Sequence, residues 1–430
     1  MIVTAGSAVA VVGAAACLVL ALLTVPTRRP PRGPALAAVA SLVLGAVVAC
    51  GPAGPRWQLL PVVLGGALAT LVVRLGRRRA PSVVVALAAA LAIAAGTGAV
   101  WAFPPLRLPV PTGPHPVGTT ELQWQGPTLR GQHTIVAQVW YPAASAAGGA
   151  GRYAGRDGAE AREVTGALAR TFGAPRFLLH DVEVARARAV PEAAVAPGGF
   201  PVVLFSPGDV SVRRQNTAWA TELAAHGYVV VALDHPFDSA VQVAADGVAT
   251  GSLVRSSGDD AQDQAQADEQ VRVRARQFGS ALDELARRHG GGGLLAGHLD
   301  LTRVAATGHS LGGATALRAA ADDPRVDAAI DLDGLPRTRA RPTVPVMVLV
   351  AGRGTQNTAN DRRYAAAVRD AVAESPDARV VTVDGASHLT FTDAPLFLPP
   401  LPALVGTLGR AGAVHATTEP TLEFLHEALG

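Results

Sequence analysis

The residues best suited to do chemistry in this chain are one serine, one histidine and a pair of competing aspartates. In Val304-Ala-Ala-Thr-Gly-His-Ser-Leu-Gly-Gly313 a Gly-x-Ser-x-Gly pentapeptide falls between an apolar strand and an Ala-rich helix. A strand that turns this tightly into a helix needs Gly308 and Gly312 where a side chain would strike backbone, and it lifts the Ser310 hydroxyl above the sheet edge. Ser310 is therefore the candidate nucleophile. In a chain with 46 glycines the bare pentapeptide could arise by chance, so its flanks decide the matter. Arg303 to Thr307 reads as a buried strand, and Leu311 to Ala321 as a helix without breakers.

A serine nucleophile needs a base, a carboxylate to orient that base, and donors for a developing oxyanion. The base belongs in a loop after the last strand, where Val383-Asp-Gly-Ala-Ser-His-Leu-Thr-Phe391 offers His388. His309 is expected to pack under the turn, His226 to end a helix before Gly227, and His235 to end a strand near the site. Two positions compete for the acid. Ile330-Asp-Leu-Asp-Gly334 ends a strand in alternating acids, of which Asp333 is favoured and Asp331 is the lesser option. Asp361 follows the next strand, although a helix-capping role also explains it. One oxyanion donor is the Leu311 N–H. The other is the Asp209 N–H, in the loop Phe205-Ser-Pro-Gly-Asp209. A carboxylate there would repel the oxyanion unless it points away or is neutralised, and Arg213 and Arg214 are the nearby candidates.

Stepping outward, the chain divides into residues 1–107 and 108–430. The first part carries no acid at all, since Glu121 is the first in the sequence, and it holds four apolar stretches. These are Ile2 to Val25, Ala35 to Cys50, Trp57 to Val73 and Ser82 to Phe103, which read as four transmembrane helices. A cleaved signal peptide fits the first stretch poorly, because it lacks a basic start and three more apolar stretches follow. Arg28, Arg29 and Arg32 lie between helices one and two, and Arg74, Arg77, Arg78 and Arg79 between three and four. The other side carries only Arg56 and Arg107. Retention of basic loops in the cytoplasm then makes the chain a multi-pass cell-membrane protein with an extracytoplasmic catalytic portion. With these arginines accounting for much of the basic character, the formal charge of +3 is no nucleic-acid footprint.

Cys17 and Cys50 both fall in predicted membrane helices, so the outer part has no disulfide and must rest on its core. No zinc-type spacing, phosphate loop or dinucleotide fingerprint is present, and no metal or organic cofactor is expected. Pro104 to Pro116 reads as an extended linker. Beyond it strands and helices alternate: strand Thr134 to Tyr141 with the pattern of a sheet edge, strand Pro201 to Phe205, helix Asn216 to Ala225, strand Tyr228 to Leu233 and helix Asp268 to Arg288. After the serine turn come strands Val326 to Leu332, Val344 to Val350 and Ala378 to Val383, helix Asp361 to Glu374 and a closing helix near Thr421 to Ala428. This is an α/β pattern, a mostly parallel sheet with crossover helices. Two segments, 143–199 and 238–268, interrupt the repeat and read as insertions that form a lid or flexible surface loops.

These residues resemble the plasma-type platelet-activating factor acetylhydrolases, calcium-independent enzymes of the α/β-hydrolase fold. The resemblance rests on Pro111 to Thr120, Gln138-Val-Trp-Tyr-Pro142, Leu204-Phe-Ser-x-Gly, Ala224-Ala-His-Gly-Tyr-Val-Val and Asp234-His235. It continues through Gly308-His-Ser-Leu-Gly-Gly-Ala314, Leu332-Asp333-Gly and Gly385-x-x-His388. It implies Ser310, His388 and Asp333 as a triad, with Asp209 as the second oxyanion donor where the family usually has an apolar residue. Pro207 likewise replaces a common histidine, and a four-helix membrane region is an addition. The expected substrate is a short-chain acyl ester, with the sn-2 ester of a phospholipid as the membrane-proximal case. The chain is also similar to carboxylesterases and polyesterases of the cutinase kind, through Ser-Pro-Gly and Gly-His-Ser-x-Gly-Gly; that kind would favour Asp361 as acid. A non-catalytic binding domain on a hydrolase scaffold is the remaining alternative, and no protein partner is indicated.

Overall fold

The computed structural model describes residues 9–16, 40, 42, 56–75, 79–352 and 359–430. They form two compact units, one of residues up to Leu106 with Phe397–Pro399, the other of Arg107–Leu396 with Pro400–Gly430. In the first unit, helices α1 (Leu59–Leu75) and α2 (Arg79–Ala102) pack along each other. Small residues set their separation: a Cβ on Gly65 would strike the Ile93 side chain and the Ala89 carbonyl, and one on Gly96 would strike Val62. Their outer ends are tied by Arg56 and Gln58, which donate to the Phe103 carbonyl at 3.2 and 2.9 Å. Residues Ser82–Ala102 form one helix of 21 residues, long and apolar enough to cross a bilayer, and α1 is a shorter apolar helix. Among the described residues no second helix is both long and apolar enough to do so. The first two predicted spans, with Cys17, Cys50 and Arg28 to Arg32, lie almost wholly outside the described residues.

In the second unit a nine-stranded sheet is built from β1 (Val117–Thr128), β2 (Gly131–Pro142), β3 (Val190–Pro191), β4 (Phe200–Ser206), β5 (Val229–Leu233), β8 (Leu299–His309), β9 (Ala328–Leu332), β10 (Val346–Ala351) and β11 (Ala378–Val383). A separate hairpin joins β6 (Val241–Val243) to β7 (Ala249–Gly251). The sheet order is β11-β10-β9-β8-β4-β5-β2-β1-β3. It is parallel from β11 to β5, and β2 pairs antiparallel with both β5 and β1. Because helices cover both faces, the central strands are continuously apolar. Val202 and Leu204 face α5 (Asp260–His289) and α6 (Leu311–Asp322), whereas their neighbours Val203 and Phe205 face α4 (Thr217–Ala225) and α8 (Gly409–Leu429). Two further long helices are α3 (Gly158–Thr171) and α7 (Ala359–Ala371), and single helical turns occur at His180–Glu183 and Pro402–Val405.

Several elements depart from their sequence expectation. Thr134 to Tyr141 lies inside the sheet, flanked by β1 and β5, because β1 was hidden by a mixed pattern that includes Gly118, Gly126 and Pro127. Helix α5 begins at Asp260, capped by Asp259, whose carboxylate accepts from the Gln262 N–H. The closing helix α8 is longer than expected, since Pro420 lies within it and reads locally as a breaker. Both insertions are structured. Asp157 caps α3 by accepting from the N–H groups of Ala159 and Glu160. Val164 and Ala167 of α3 then pack on Val241 and Val243 of the hairpin and on Val212.

The carboxylate of buried Asp393 ties this cap to the main body. It accepts from the Ala218 N–H at the start of α4 at 3.2 Å and from the Tyr153 hydroxyl at 3.0 Å. Burial pushes its pKa from 3.8 up to about 7, against the pull of these hydrogen bonds. The native state therefore holds this proton more tightly than the unfolded chain does. That stabilising contribution is complete below about pH 4 and is lost as the pH rises through about 7. Asp393→Asn should match wild type in denaturant midpoint at pH 4 and exceed it at pH 8. A gap independent of pH would show that the carboxyl titrates normally.

Candidate active site

The site is assembled at the carboxyl ends of β4, β8 and β9. Ser310 occupies a left-handed conformation, φ 58° and ψ −120°, between β8 and α6. A non-glycine residue rarely adopts this region, and it holds only where surroundings enforce it. Here the Ser310 N–H donates to the Leu332 carbonyl at 2.9 Å, and the Ser310 carbonyl accepts from Gly313 at 2.9 Å. A Cβ on Gly308 would overlap the Gly312 carbonyl, and one on Gly312 would overlap the carbonyl of Ser206. The two glycines of the pentapeptide are thus required by close approach of three backbone segments.

His388 opens a short 3-10 turn, His388–Phe391, capped by Ser387 and Thr390. Ser387 and Thr390 donate in turn to the carbonyls of Leu404 and Val405, at 2.8 and 3.0 Å. The His388 Nδ1 lies 2.7 Å from Asp333 Oδ2, so with an ionised carboxylate Nδ1 is the donor. Asp333 is buried at the end of β9, also with positive φ, and its Oδ1 accepts from the Ala351 N–H at 2.9 Å. Asp361 lies in the first turn of α7, and the carboxylate that meets His388 is Asp333. Asp331 is elsewhere too. It is buried beneath the turn, where its Oδ1 accepts from the Gly334 N–H at 2.7 Å, and burial raises its pKa well above the usual carboxylate value.

The loop after β4 lies against the nucleophile: a Cβ placed on Gly208 would sit 3.6 Å from that of Ser310. Leu311 is the first residue of α6, where N–H groups lack intrahelical partners. The Asp209 carboxylate is turned to α5, where Gln270 Nε2 donates to its Oδ1 at 3.0 Å. Its expected neutralisation by Arg213 or Arg214 is therefore corrected. Arg213 is buried and bonded to Asp234, Glu121 and Glu160, and Arg214 to Glu121. Burial alone would weaken the Arg213 charge, but these carboxylates hold its pKa above the usual arginine value.

Sequence reasoning missed the residues that fix the loop after β4. Arg274, wholly buried on α5, donates to the Pro207 carbonyl at 2.7 Å and, through Nε, to Asp238 at 2.7 Å. Burial opposes ionisation of Asp238, yet the Arg274 guanidinium holds it below the usual carboxylate range. Gln277 accepts from His235 Nδ1, leaving His235 Nε2 to accept from the Ser206 hydroxyl at 2.8 Å. His235 is thus a buried brace. Gln215 completes the loop's support by accepting from the Gly208 N–H at 2.8 Å. A signal was present: Gln270, Arg274 and Gln277, spaced on one helical face, interrupt a stripe that also carries Val271 and Phe278. His309 is buried as expected, and its ring centroid lies 4.5 Å from that of His388. His226 caps α4 and meets Glu222 and Thr112.

The mostly parallel sheet with helices on both faces and the strand-to-helix turn at Ser310 define the class of fold, that of an α/β-hydrolase. The sequence profile of platelet-activating factor acetylhydrolase, isoform II, matches residues 101–289, and that of the PET hydrolase-like family matches residues 261–398. The chain is 25% identical over 260 residues to platelet-activating factor acetylhydrolase of Canis lupus familiaris, covering 54% of this chain and 57% of the relative. To Cutinase est2 of Thermobifida alba it is 25% identical over 190 residues, covering 44% of this chain and 53% of the relative. Among solved structures it is similar to a ferulic acid esterase from Streptomyces cinnamoneus, with a TM-score of 0.62 and 27% identity, over 76% of this chain and 93% of that one. The chain is thus similar in sequence to platelet-activating factor acetylhydrolases over its first catalytic half and to cutinase-type hydrolases over its second, and it spans little more than half the length of the curated relatives it matches.

Two buried neutral histidines at the site carry a pH consequence. Burial, with Arg274 adding for His235 and His388 for His309, lowers both pKa values from 6.5 to about 3. Protons enter the unfolded chain first, so the stabilising contribution is full above pH 6.5 and is lost as the pH falls towards 3. Denaturant midpoints should drop between pH 6.5 and 4, and the drop should be smaller in His235→Gln than in wild type. Parallel curves would mean that His235 titrates as an exposed histidine.

Proposed function

We propose that this chain is a serine carboxylic ester hydrolase that transfers an acyl group to water. The observation that carries the reading is the 2.7 Å contact of His388 Nδ1 with buried Asp333, beside a serine held in a left-handed strand-to-helix turn. Asp333 holds the imidazole with Nδ1 protonated, so that Nε2 can take the Ser310 proton as the hydroxyl attacks the ester carbonyl. The Leu311 and Asp209 N–H groups stabilise the oxyanion. His388 then returns the proton to the leaving alcohol, and water releases the acyl group by the same path reversed. No metal or organic cofactor enters these steps.

The substrate class in this reading is a short-chain acyl ester, with the sn-2 ester of a phospholipid at the outer membrane face as the membrane-proximal case. The match of residues 101–289 to the acetylhydrolase profile supports it. A second reading, a cutinase-like esterase acting on polyester or aryl esters, is favoured by the PET hydrolase-like match over residues 261–398 and by the similarity to the ferulic acid esterase.

A panel of esters from acetyl to palmitoyl, with a feruloyl ester and a polyester film, separates the two. Ser310→Ala should reduce turnover to roughly one thousandth or less and abolish fluorophosphonate labelling. Asp333→Asn should cost about 10⁴ in kcat, by analogy with the serine protease measured in that way, while Asp361→Asn stays near wild type. A large loss at Asp361 with near-normal Asp333→Asn would overturn the triad.

We further propose that residues 1–107 anchor the enzyme as a four-helix membrane region. Large apolar side chains left exposed on α1 and α2, among them Leu60, Leu64, Val84, Leu87 and Leu91, support it. The arginine asymmetry of the loops favours an extracytoplasmic site. Alkaline phosphatase fused after Phe103 should be active and fused after Arg79 inactive; the reverse pattern would put the site in the cytoplasm.

A further inference from the structure

Three hydrogen bonds run from the oxyanion loop to the loop that carries the base. The Gly208 N–H donates to Gln215 Oε1 at 2.8 Å, Gln215 Nε2 lies 2.8 Å from His309 Nδ1, and His309 Nε2 lies 2.9 Å from the His388 carbonyl oxygen. Only one assignment of hydrogens satisfies all three. A carbonyl can only accept, so His309 Nε2 must carry its proton. For a neutral ring, Nδ1 then presents a lone pair, which the Gln215 amide nitrogen can meet. That leaves Gln215 Oε1 for the Gly208 N–H. Donation thus runs one way, from the oxyanion loop to the base loop, and both linking residues lie in the protein interior or at its margin, with His309 2% exposed.

We propose that Gln215 and His309 are positioning residues for ester hydrolysis, holding the oxyanion loop and the backbone of the base in register with Ser310. The inference rests on the hydrolase reading above. Its physical content is specific. By accepting from the Gly208 N–H, Gln215 orients the Pro207–Gly208 peptide, one unit before the peptide that carries the Asp209 N–H, the second oxyanion donor. By bonding the His388 carbonyl, His309 restrains the main chain of the base, while Asp333 restrains its ring. Neither residue touches the reacting atoms. His309 is the residue directly before the nucleophile, so its backbone position is set by the strained turn. The same turn therefore sets one end of both bonds made by its ring. Burial, together with the nearby His388, keeps the His309 ring neutral, with a pKa of about 3, which preserves the directional arrangement through the pH range where ester hydrolysis is measured.

The test uses the full-length chain in detergent, labelled with ¹⁵N-histidine. In wild type the His309 signals, assigned by their loss in His309→Gln, should be those of a ring protonated at Nε2 alone down to about pH 4. In Gln215→Ala the Nδ1 shift should move as its donor is lost. On a short acyl ester, Gln215→Ala and His309→Phe should lower kcat by about 10- to 100-fold, as a small misplacement of catalytic groups does, with KM changed less than about 3-fold. His309→Gln, whose amide can both accept and donate, should recover part of that loss. A ring protonated at Nδ1 in wild type would overturn the hydrogen-bond path without any variant having to fold. Unchanged kcat in folded Gln215→Ala and His309→Phe, or a change confined to KM, would overturn the positioning role. Should the ring state be as expected while wild type hydrolyses no ester, the hydrolase reading fails and the positioning role with it, although the bonded path stands.

Discussion

Everything in the catalytic unit is arranged around one close approach: the backbone of the Ser310 turn against the carbonyl of Ser206. The left-handed φ of Ser310 is tolerable only because β8 feeds α6 with glycine at both flanks, so that Gly308, Gly312 and Ser206 can share a space that no Cβ could enter. That approach fixes β4 beside β8 and brings the loop after β4 against the nucleophile. The parallel pairing of β9 with β8 then carries Asp333 to the same edge.

Around this turn the interior is unusually polar, and its charges are matched. Arg274 lies against Asp238, and Arg213 among Asp234, Glu121 and Glu160, all at or near full burial. Such pairs add little net stability, because desolvation offsets most of the Coulomb attraction. Their contribution here is geometric. Each arginine gathers segments remote in sequence: Arg274 joins α5 to the loop after β5 and to the oxyanion loop, and Arg213 joins α3, β1 and the end of β5. Asp331 takes the opposite solution. Among the described residues no arginine is bonded to it; burial raises its pKa well above the usual carboxylate value, and it serves the turn through the Gly334 N–H.

The two family profiles divide the molecule at α5, the helix that both of them share. The acetylhydrolase profile holds the oxyanion loop and the cap of α3 and the β6–β7 hairpin, whereas the PET hydrolase-like profile holds Ser310, Asp333 and His388. Helix α5 bridges the halves physically as well, its buried Gln270 and Arg274 bonding Asp209 and Pro207 of the loop after β4 and its Gln277 bracing His235.

What the sequence determined by itself was local. The strand, the glycines and the Ala-rich helix around Ser310 are neighbours in the chain, so their turn could be read directly, and the apolar runs of β4, β5 and β9 marked the parallel sheet. His388 and Asp333 were legible because fold order confines them to loops after particular strands. Tertiary structure decided what depends on distance across the fold. It chose Asp333 over Asp331 and Asp361 as the carboxylate that meets His388, since spacing along a chain cannot say which carboxylate a ring will reach. It turned Asp209 to Gln270 instead of to Arg213 or Arg214, and it set β2 in the sheet interior, because alternation reports burial of a face and not the presence of a neighbouring strand. It alone revealed Gln215, whose partners Gly208 and His309 lie 7 and 94 residues away. A polar side chain of that kind looks like any surface glutamine until packing closes over it and every donor must find an acceptor.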